Sequence, residues 1–117
     1  MITSVHTIIY ATDADAARAF LRDVIGLRYV DAHDGWLIFQ QPASELAVHT
    51  EDEPTGRHEL YLMCDDIEAT MAELAAKGVE FTAPVRQASF GLLTSIQVPG
   101  SGQIGLYQPR HPTAYDL

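Results

Sequence analysis

Apolar and polar positions follow the same order twice along the chain. Residues 6–26 (HTIIYATDADAARAFLRDVIG) and 59–78 (ELYLMCDDIEATMAELAAKG) each contain an alternating segment, an aspartate, an apolar stripe at helical spacing and a glycine. Alternation with a period of two predicts a strand, and apolar residues three or four positions apart predict one face of a helix. Aspartate often begins a helix and glycine often ends one. We infer a duplicated strand–helix unit.

Each unit is followed by three further strand candidates, separated by clusters of turn-forming residues. They are residues 27–32, 36–41 and 45–50 in the first copy, and 79–82, 90–98 and 103–108 in the second. The acidic stretch EDEPTG at 51–56 links the copies. The pattern therefore predicts one α+β domain over residues 1–117, with two βαβββ modules at about 1–52 and 57–109, eight strands and two helices.

Alternation also assigns each strand residue to the helix side or to the open side of its sheet. The apolar residues assigned to the helix side are Ile9, Ala11, Leu46, Val48, Leu60, Leu62, Cys64, Ile104 and Leu106. The polar and aromatic residues assigned to the open side are His6, Tyr10, Trp36, His49, Glu59, Tyr61, Gln103 and Tyr107. If the sheets curl, the open side becomes a cup with aromatic walls and a few polar groups, which is typical of a small-molecule pocket.

Charge and cysteine content exclude several classes of partner. Seven basic and sixteen acidic residues give the 117-residue chain a net charge of −9, which repels a nucleic-acid backbone. The single cysteine, Cys64, rules out an intrachain disulfide and is typical of a reducing compartment. No apolar run approaches the ~18 residues that cross a membrane. We expect a cytoplasmic protein without a nucleic-acid or membrane partner.

Three segments carry a family resemblance. HTIIYATDADAARAFLRDVIGL resembles the opening of the vicinal-oxygen-chelate superfamily, which contains glyoxalases, bleomycin- and fosfomycin-resistance proteins and extradiol dioxygenases. DDIEATMAELAAKGVEF is similar to the start of that family's second module, and PGSGQIGLYQP to its usual ending. The resemblance covers nearly the whole chain. It implies a curled mixed sheet forming a cup, helices on the outer faces and a homodimer.

The resemblance also implies where a metal would bind. Its four symmetry-related ligand positions correspond here to His6, Ala47, Glu59 and Gly105. Ala47 and Gly105 carry no donor atom, so the standard triad is absent. A displaced ligand set of His6, Glu59 and His49 is conceivable, in which His49 lies ~6–7 Å along its strand from the usual ligand position. The expected cofactor is therefore either none or a divalent metal.

Two functions from different classes follow from the resemblance, because this superfamily contains both enzymes and binders. The first is a small-molecule-binding protein without the standard metal triad, which either holds its ligand or acts on it through Glu59 and His6 as acid and base. The alternative is a metal-dependent lyase or dioxygenase with a nonstandard ligand set; a third reading is a non-catalytic accessory domain. The expected ligand contacts are Tyr10, Trp36, His49, Tyr61, Gln103 and Tyr107.

Simpler structural roles compete with each assignment. His6 can be a hydrogen-bonded strand histidine, Glu59 can form an ion pair with Arg57, and His49 and Tyr107 can be aromatic walls. The substrate is not readable, because the loops that shape a pocket follow no sequence code.

Overall fold

The computed structural model describes residues 6–48, 50, 52–54 and 57–117. Within these residues the chain forms two helices and six strands in two sheets. Helix α1 spans Ala14–Ala19 and continues as a π-helical segment, Phe20–Ile25; helix α2 spans Ile67–Ala76. The strands are β1 Tyr29–Asp31, β2 Leu37–Phe39, β3 Tyr61–Met63, β4 Arg86–Ala88, β5 Gly91–Gln97 and β6 Gln103–Pro109. None of the helices in this part of the chain is long and apolar enough to cross a membrane.

The larger sheet has the order β3–β6–β5–β4. Strand β3 runs parallel to β6, with Tyr61 opposite Gly105, whereas β4, β5 and β6 pair antiparallel. Strands β1 and β2 form a separate antiparallel hairpin with Val30 opposite Ile38. The predicted α+β class with a mixed, unclosed sheet is confirmed.

The duplicated helix signals act as predicted. The side chain of Asp13 accepts a hydrogen bond from the Ala16 amide at 3.0 Å, and that of Asp66 accepts one from the Ala69 amide at 3.1 Å. Gly26 ends the first helical region in the left-handed conformation, which glycine adopts without steric cost. Local residues therefore begin both helices in the same way.

Both helices contribute to one core on one face of the larger sheet. Its buried members are Ala17, Phe20, Ile67, Leu74, Val79, Ile96, Val98, Ile104 and Leu106. The partly buried residues packed against it include Ile9, Ala11, Leu60, Leu62 and Cys64. The predicted packing on the helix side is confirmed for Ile9, Ala11, Leu60, Leu62, Cys64, Ile104 and Leu106.

The turn after β5 ties the start of α1 to this core. The Asp13 amide donates to the Gly100 carbonyl at 3.0 Å, and the Ser101 hydroxyl donates to the Tyr10 carbonyl at 2.7 Å. Gly100 has a φ of 75° and lies against the Asp13 backbone, where a side chain would collide. This contact connects the two halves of the chain.

Two predicted strands are absent from the described residues. Residues 6–11 and 45–48 are not paired in a sheet, so the prediction of strands there was wrong. Leu46 and Val48 are almost fully exposed, so the prediction that they pack on the helix side was also wrong. A strand needs a neighbour for its backbone groups, and the described part of the chain supplies none for 45–48. The candidate at 79–82 makes one bridge, between Phe81 and Ile96. Strand β4 was not predicted, because Arg-Gln-Ala lacks the branched and aromatic residues that favour strands.

Candidate functional site

An open groove of about 420 Å³ runs across the larger sheet on the side away from the helices. We call it the sheet groove. Tyr61, Ser95 and Gly105 lie along its floor, and it is bordered by residues 57–60, by Ala83, Pro84 and Arg86, and by residues 7–9. Polar and aromatic side chains therefore meet on one surface.

Strand register brings these side chains together. Tyr61 and Ser95 both lie opposite Gly105, and Arg86 lies opposite Leu93. Residues directly opposite each other in paired strands share one face of the sheet. All four strands of the larger sheet therefore contribute to the groove.

The ring of Tyr61 packs on the backbone at Gly105. A Cβ atom added at Gly105 would collide with three atoms of this ring, so the ring lies directly on the backbone of β6. Any larger residue at position 105 would have to displace it. An aromatic ring thus covers the position where the resemblance places the last metal ligand.

Glu59 is held between two donors at the end of the groove. One carboxylate oxygen accepts a hydrogen bond from Arg57 Nη1 at 3.0 Å, and the other accepts one from the Tyr61 hydroxyl at 2.7 Å. The hydrogen bond to Glu59, together with burial, raises the pKa of Tyr61 above its ordinary value. The ion pair with Arg57 that the sequence offered as an alternative is present.

Tyr107 supports Tyr61 from the side. Its ring meets Tyr61 edge-on at a centroid distance of 5.5 Å and Phe90 edge-on at 5.7 Å, and it stacks on His111 at 6.1 Å. Its hydroxyl lies 3.2 Å from a Glu45 carboxylate oxygen and 3.3 Å from His111 Nε2. Burial, followed by the negative charge of Glu45, raises the pKa of Tyr107. Tyr107 is buried and does not itself line the groove.

The structure places the predicted site residues in several locations. Glu59, Tyr61 and Gln103 line the sheet groove, and His6 is exposed next to the lining residue Thr7. Tyr10 lies exposed beside a smaller depression with Ser101.

Trp36 is exposed in the turn between β1 and β2, and His49 lies outside the described residues. The sequence missed Arg86 as a groove residue. Its only signal would have been the pairing of β4 with β5, which places Arg86 opposite Leu93.

The donor atoms of the groove do not fit the family's three-ligand metal site. Both Glu59 oxygens already accept hydrogen bonds, and Ala47 and Gly105 offer no donor. Among the residues that the structure describes, no three His, Cys, Asp or Glu side chains are grouped closely enough to hold a metal ion.

Solved structures of similar shape share the fold at low sequence identity. TnmS3, an antibiotic binding protein from Streptomyces sp. CB03234, has a TM-score of 0.67 and 23% identity, with 92% of this chain and 97% of that chain covered. A lactoylglutathione lyase from Agrobacterium tumefaciens has a TM-score of 0.66 and 19% identity, with 91% and 92% covered. A superfamily member from Sphaerobacter thermophilus DSM 20745 has a TM-score of 0.65 and 24% identity, with 92% and 98% covered.

Among curated proteins, no sequence matches the chain. A family model does match, over residues 3–100, which is most of the chain. The duplicated helix starts, the mixed sheet and this match agree. The chain belongs to the Glyoxalase/Bleomycin resistance protein/Dioxygenase superfamily.

Proposed function

We propose that the protein binds an organic small molecule in the sheet groove, without the metal triad of its superfamily. The observation that carries this proposal is the ring of Tyr61 lying on the bare backbone at Gly105, beside charged groups. A groove of about 420 Å³ lies within the range of ligand pockets, ~300–1,000 Å³. An aromatic floor with a few fixed polar groups favours a flat organic ligand.

The charges around the groove favour a ligand with an acidic group. Arg57 and Arg86 border it together with one carboxylate, Glu59, in a chain whose net charge is −9. Among the described residues, Arg86 forms no ion pair with an acidic side chain. A guanidinium binds a carboxylate or phosphate through paired N–H donors. Arg86 is therefore the proposed anchor, and Tyr61 the proposed stacking surface.

Glu59 positions Tyr61 in this proposal. Its hydrogen bond to the phenol hydroxyl and its pairing with Arg57 fix the ring from the rim. Acid–base catalysis by Glu59 and His6 remains a prediction. The same holds for ligand contacts by Tyr10, Trp36 and His49, and for a cytoplasmic location.

Relatives of the same fold make both candidate functions reasonable. TnmS3 is described as an antibiotic binding protein, and the Agrobacterium relative as a lactoylglutathione lyase. The first favours binding, and the second keeps a metal-dependent lyase or dioxygenase as the alternative. Function belongs to the site and not to the fold, so the donor atoms decide, and they favour binding.

A second copy of the chain is the proposed partner. Exposed apolar side chains concentrate in the first half of the chain; they are Ile8, Tyr10, Tyr29, Val30, Trp36, Leu46 and Val48. Large apolar side chains that stay exposed favour an interaction surface. Residues 45–48 of the strand candidate at 45–50 are also unpaired among the described residues. A homodimer would cover these side chains and pair this segment.

Isothermal titration with matched probes tests the binding proposal. We expect 2-naphthoate to bind more tightly than 2-naphthamide, because the ring is the same and only the acid can engage Arg86. Arg86→Gln should remove this preference, and the exposed Arg28→Gln should retain it as a control. Equal affinities for both probes in the unmodified protein would contradict the role of Arg86.

Metal analysis separates the two candidate functions. Protein purified without a metal-affinity tag should contain no divalent metal that depends on His6 and Glu59. Near-stoichiometric metal that is lost in both His6→Gln and Glu59→Gln would support the lyase or dioxygenase instead. Sedimentation analysis should give a dimer, and Leu46→Asp should shift it towards the monomer.

A further inference from the structure

Three potential metal ligands meet where the C-terminal segment folds back against β6. We call Glu45, Tyr107 and His111 the tail cluster. The Tyr107 hydroxyl lies 3.2 Å from Glu45 Oε1 and 3.3 Å from His111 Nε2, and the last two atoms are 3.7 Å apart. Tyr107 is buried, and the Glu45 and His111 side chains are partly buried. None of these atoms belongs to the sheet groove.

This triangle has the size of one face of a tetrahedral metal site. Ligand atoms bonded to zinc at ~2.0–2.1 Å lie ~3.3–3.4 Å from each other in a tetrahedron. In the tail cluster the three distances are 3.2, 3.3 and 3.7 Å, and the point in their plane that is equidistant from the three atoms lies about 2.0 Å from each. An ion ~2.0–2.1 Å from each atom would lie at this plane or just outside it, with the longest edge wider than in a regular tetrahedron.

The outer contacts of the cluster also resemble those of a metal site. His111 Nδ1 lies 2.8 Å from the Pro112 carbonyl, which can only accept, so Nδ1 donates and Nε2 turns its lone pair to the cluster. The Ala114 amide donates to the second Glu45 oxygen at 2.7 Å. Metal-bound histidines and carboxylates are usually oriented by hydrogen bonds of this kind.

The hydrogen bonds of the cluster differ between the two forms of His111. In the neutral form, with the hydrogen on Nδ1, Glu45 Oε1 and His111 Nε2 are both acceptors, and the single hydroxyl hydrogen of Tyr107 can serve only one of them. In the protonated form, Nε2 carries a second hydrogen and pairs with Glu45. A divalent cation would take the place of these hydrogens and bind all three atoms.

We propose that the tail cluster binds a first-row divalent cation such as Zn²⁺ through Glu45, Tyr107 and His111, leaving a fourth position for water. Binding replaces the hydroxyl hydrogen of Tyr107, which is released to solvent as one proton. The ion then ties the C-terminal segment to β6 and to residue 45. This site is separate from the family's ligand positions and does not depend on the sheet groove.

Titration of tag-free, chelator-treated protein with Zn²⁺ and Co²⁺ tests the site. We expect one equivalent per chain, the visible spectrum of tetrahedral Co²⁺ and an ultraviolet change from ionised tyrosine. Tyr107→Phe removes only the ligand oxygen, and His111→Gln removes the nitrogen ligand. Each should weaken binding at least ~10-fold, as even the loss of an outer-shell partner does.

Two further variants serve as matched controls. His33→Gln removes an exposed histidine that lies 3.4 Å from Asp34, and His6→Gln removes the histidine at the family's ligand position. Both should leave affinity unchanged, with the fold of every variant checked by circular dichroism. The proposal is overturned if the protein binds no ion, if Tyr107→Phe and His111→Gln both bind normally, or if His6→Gln abolishes binding.

Discussion

The two halves of the chain share one sequence pattern but differ in how much of it is packed. In the second half, Ile104 and Leu106 are 6% and 2% exposed in the centre of a four-stranded sheet. Their counterparts in the first half, Leu46 and Val48, are 93% and 95% exposed. Helix starts are equivalent in both halves. Helix ends therefore depend on local residues, whereas residues 6–11 and 45–48 would need a neighbouring strand that the described residues do not supply.

This difference concerns function as well as stability. The packed half supplies most of the sheet groove, including Tyr61, Arg86 and Gly105. The open half supplies the rim residues 7–9 and most of the exposed apolar surface. The proposed binding site and the proposed dimer surface thus lie in different halves, and each can be tested separately.

Truncating matched leucines should give the largest difference. Leu106→Ala removes a fully buried side chain and should lower the free energy of unfolding by ~2–5 kcal/mol. Leu46→Ala should change it by less than ~0.5 kcal/mol at protein concentrations where the chain is a monomer. Urea unfolding measures both. Equal losses at low concentration would show that the first half packs within its own chain.

Gly105, on which the ring of Tyr61 lies, should show the next largest loss of stability when it is substituted. Gly105→Ala forces the ring off β6 and should cost ~1–3 kcal/mol of stability, as overpacking does, while also weakening ligand binding. Gly102→Ala is the control, because its added Cβ has no neighbour within 4 Å. If the two variants have the same melting temperature, the ring does not rest on Gly105.

The helix starts should behave alike in the two halves. Asp13→Ala and Asp66→Ala each remove one hydrogen bond to a helix amide and should each cost ~0.5–2 kcal/mol. Thermal unfolding of the single variants provides the measurement. A large loss of stability for Asp66→Ala alone would show that the two helix starts do not contribute equally.

Removing the charge of Glu59 should have the smallest effect of these changes, and the effect should appear in the pKa of Tyr61. The pKa of Tyr61 is raised in the folded protein, so its contribution to stability is full below the unfolded value of about 10 and disappears as pH rises through the folded value. Glu59→Gln should lower the pKa of Tyr61 in the folded protein and so narrow the pH interval between its unfolded and folded pKa values. Ultraviolet titration of the two proteins tests this, with no difference expected below pH ~8.

Much of the fold was predictable because its signals are local. Asp13, Asp66 and Gly26 are close to the groups that they cap, and alternation correctly predicted the packing of Ile9, Leu62 and Leu106. The parts that were missed depend on which strands become neighbours. Leu46 has no strand neighbour among the described residues and is exposed, and β4 forms because β5, two residues further along the chain, lies beside it.

The candidate site divides in the same way. Glu59 and Tyr61 could be assigned to one face from alternation alone. That the ring of Tyr61 covers Gly105 depends on the register of β3 with β6, and that Arg86 joins the groove depends on the register of β4 with β5. Such register is not encoded in any single segment.

Mapping a bound probe by nuclear magnetic resonance tests the central claim most directly. With 2-naphthoate titrated into ¹⁵N-labelled protein, the largest amide shifts should occur around residues 59–61, 86, 93–95 and 103–105, and Gly105→Ala should abolish them. Shifts centred on Tyr10 and Ser101 or on the β1–β2 hairpin would contradict it, as would the absence of any shift at saturating probe.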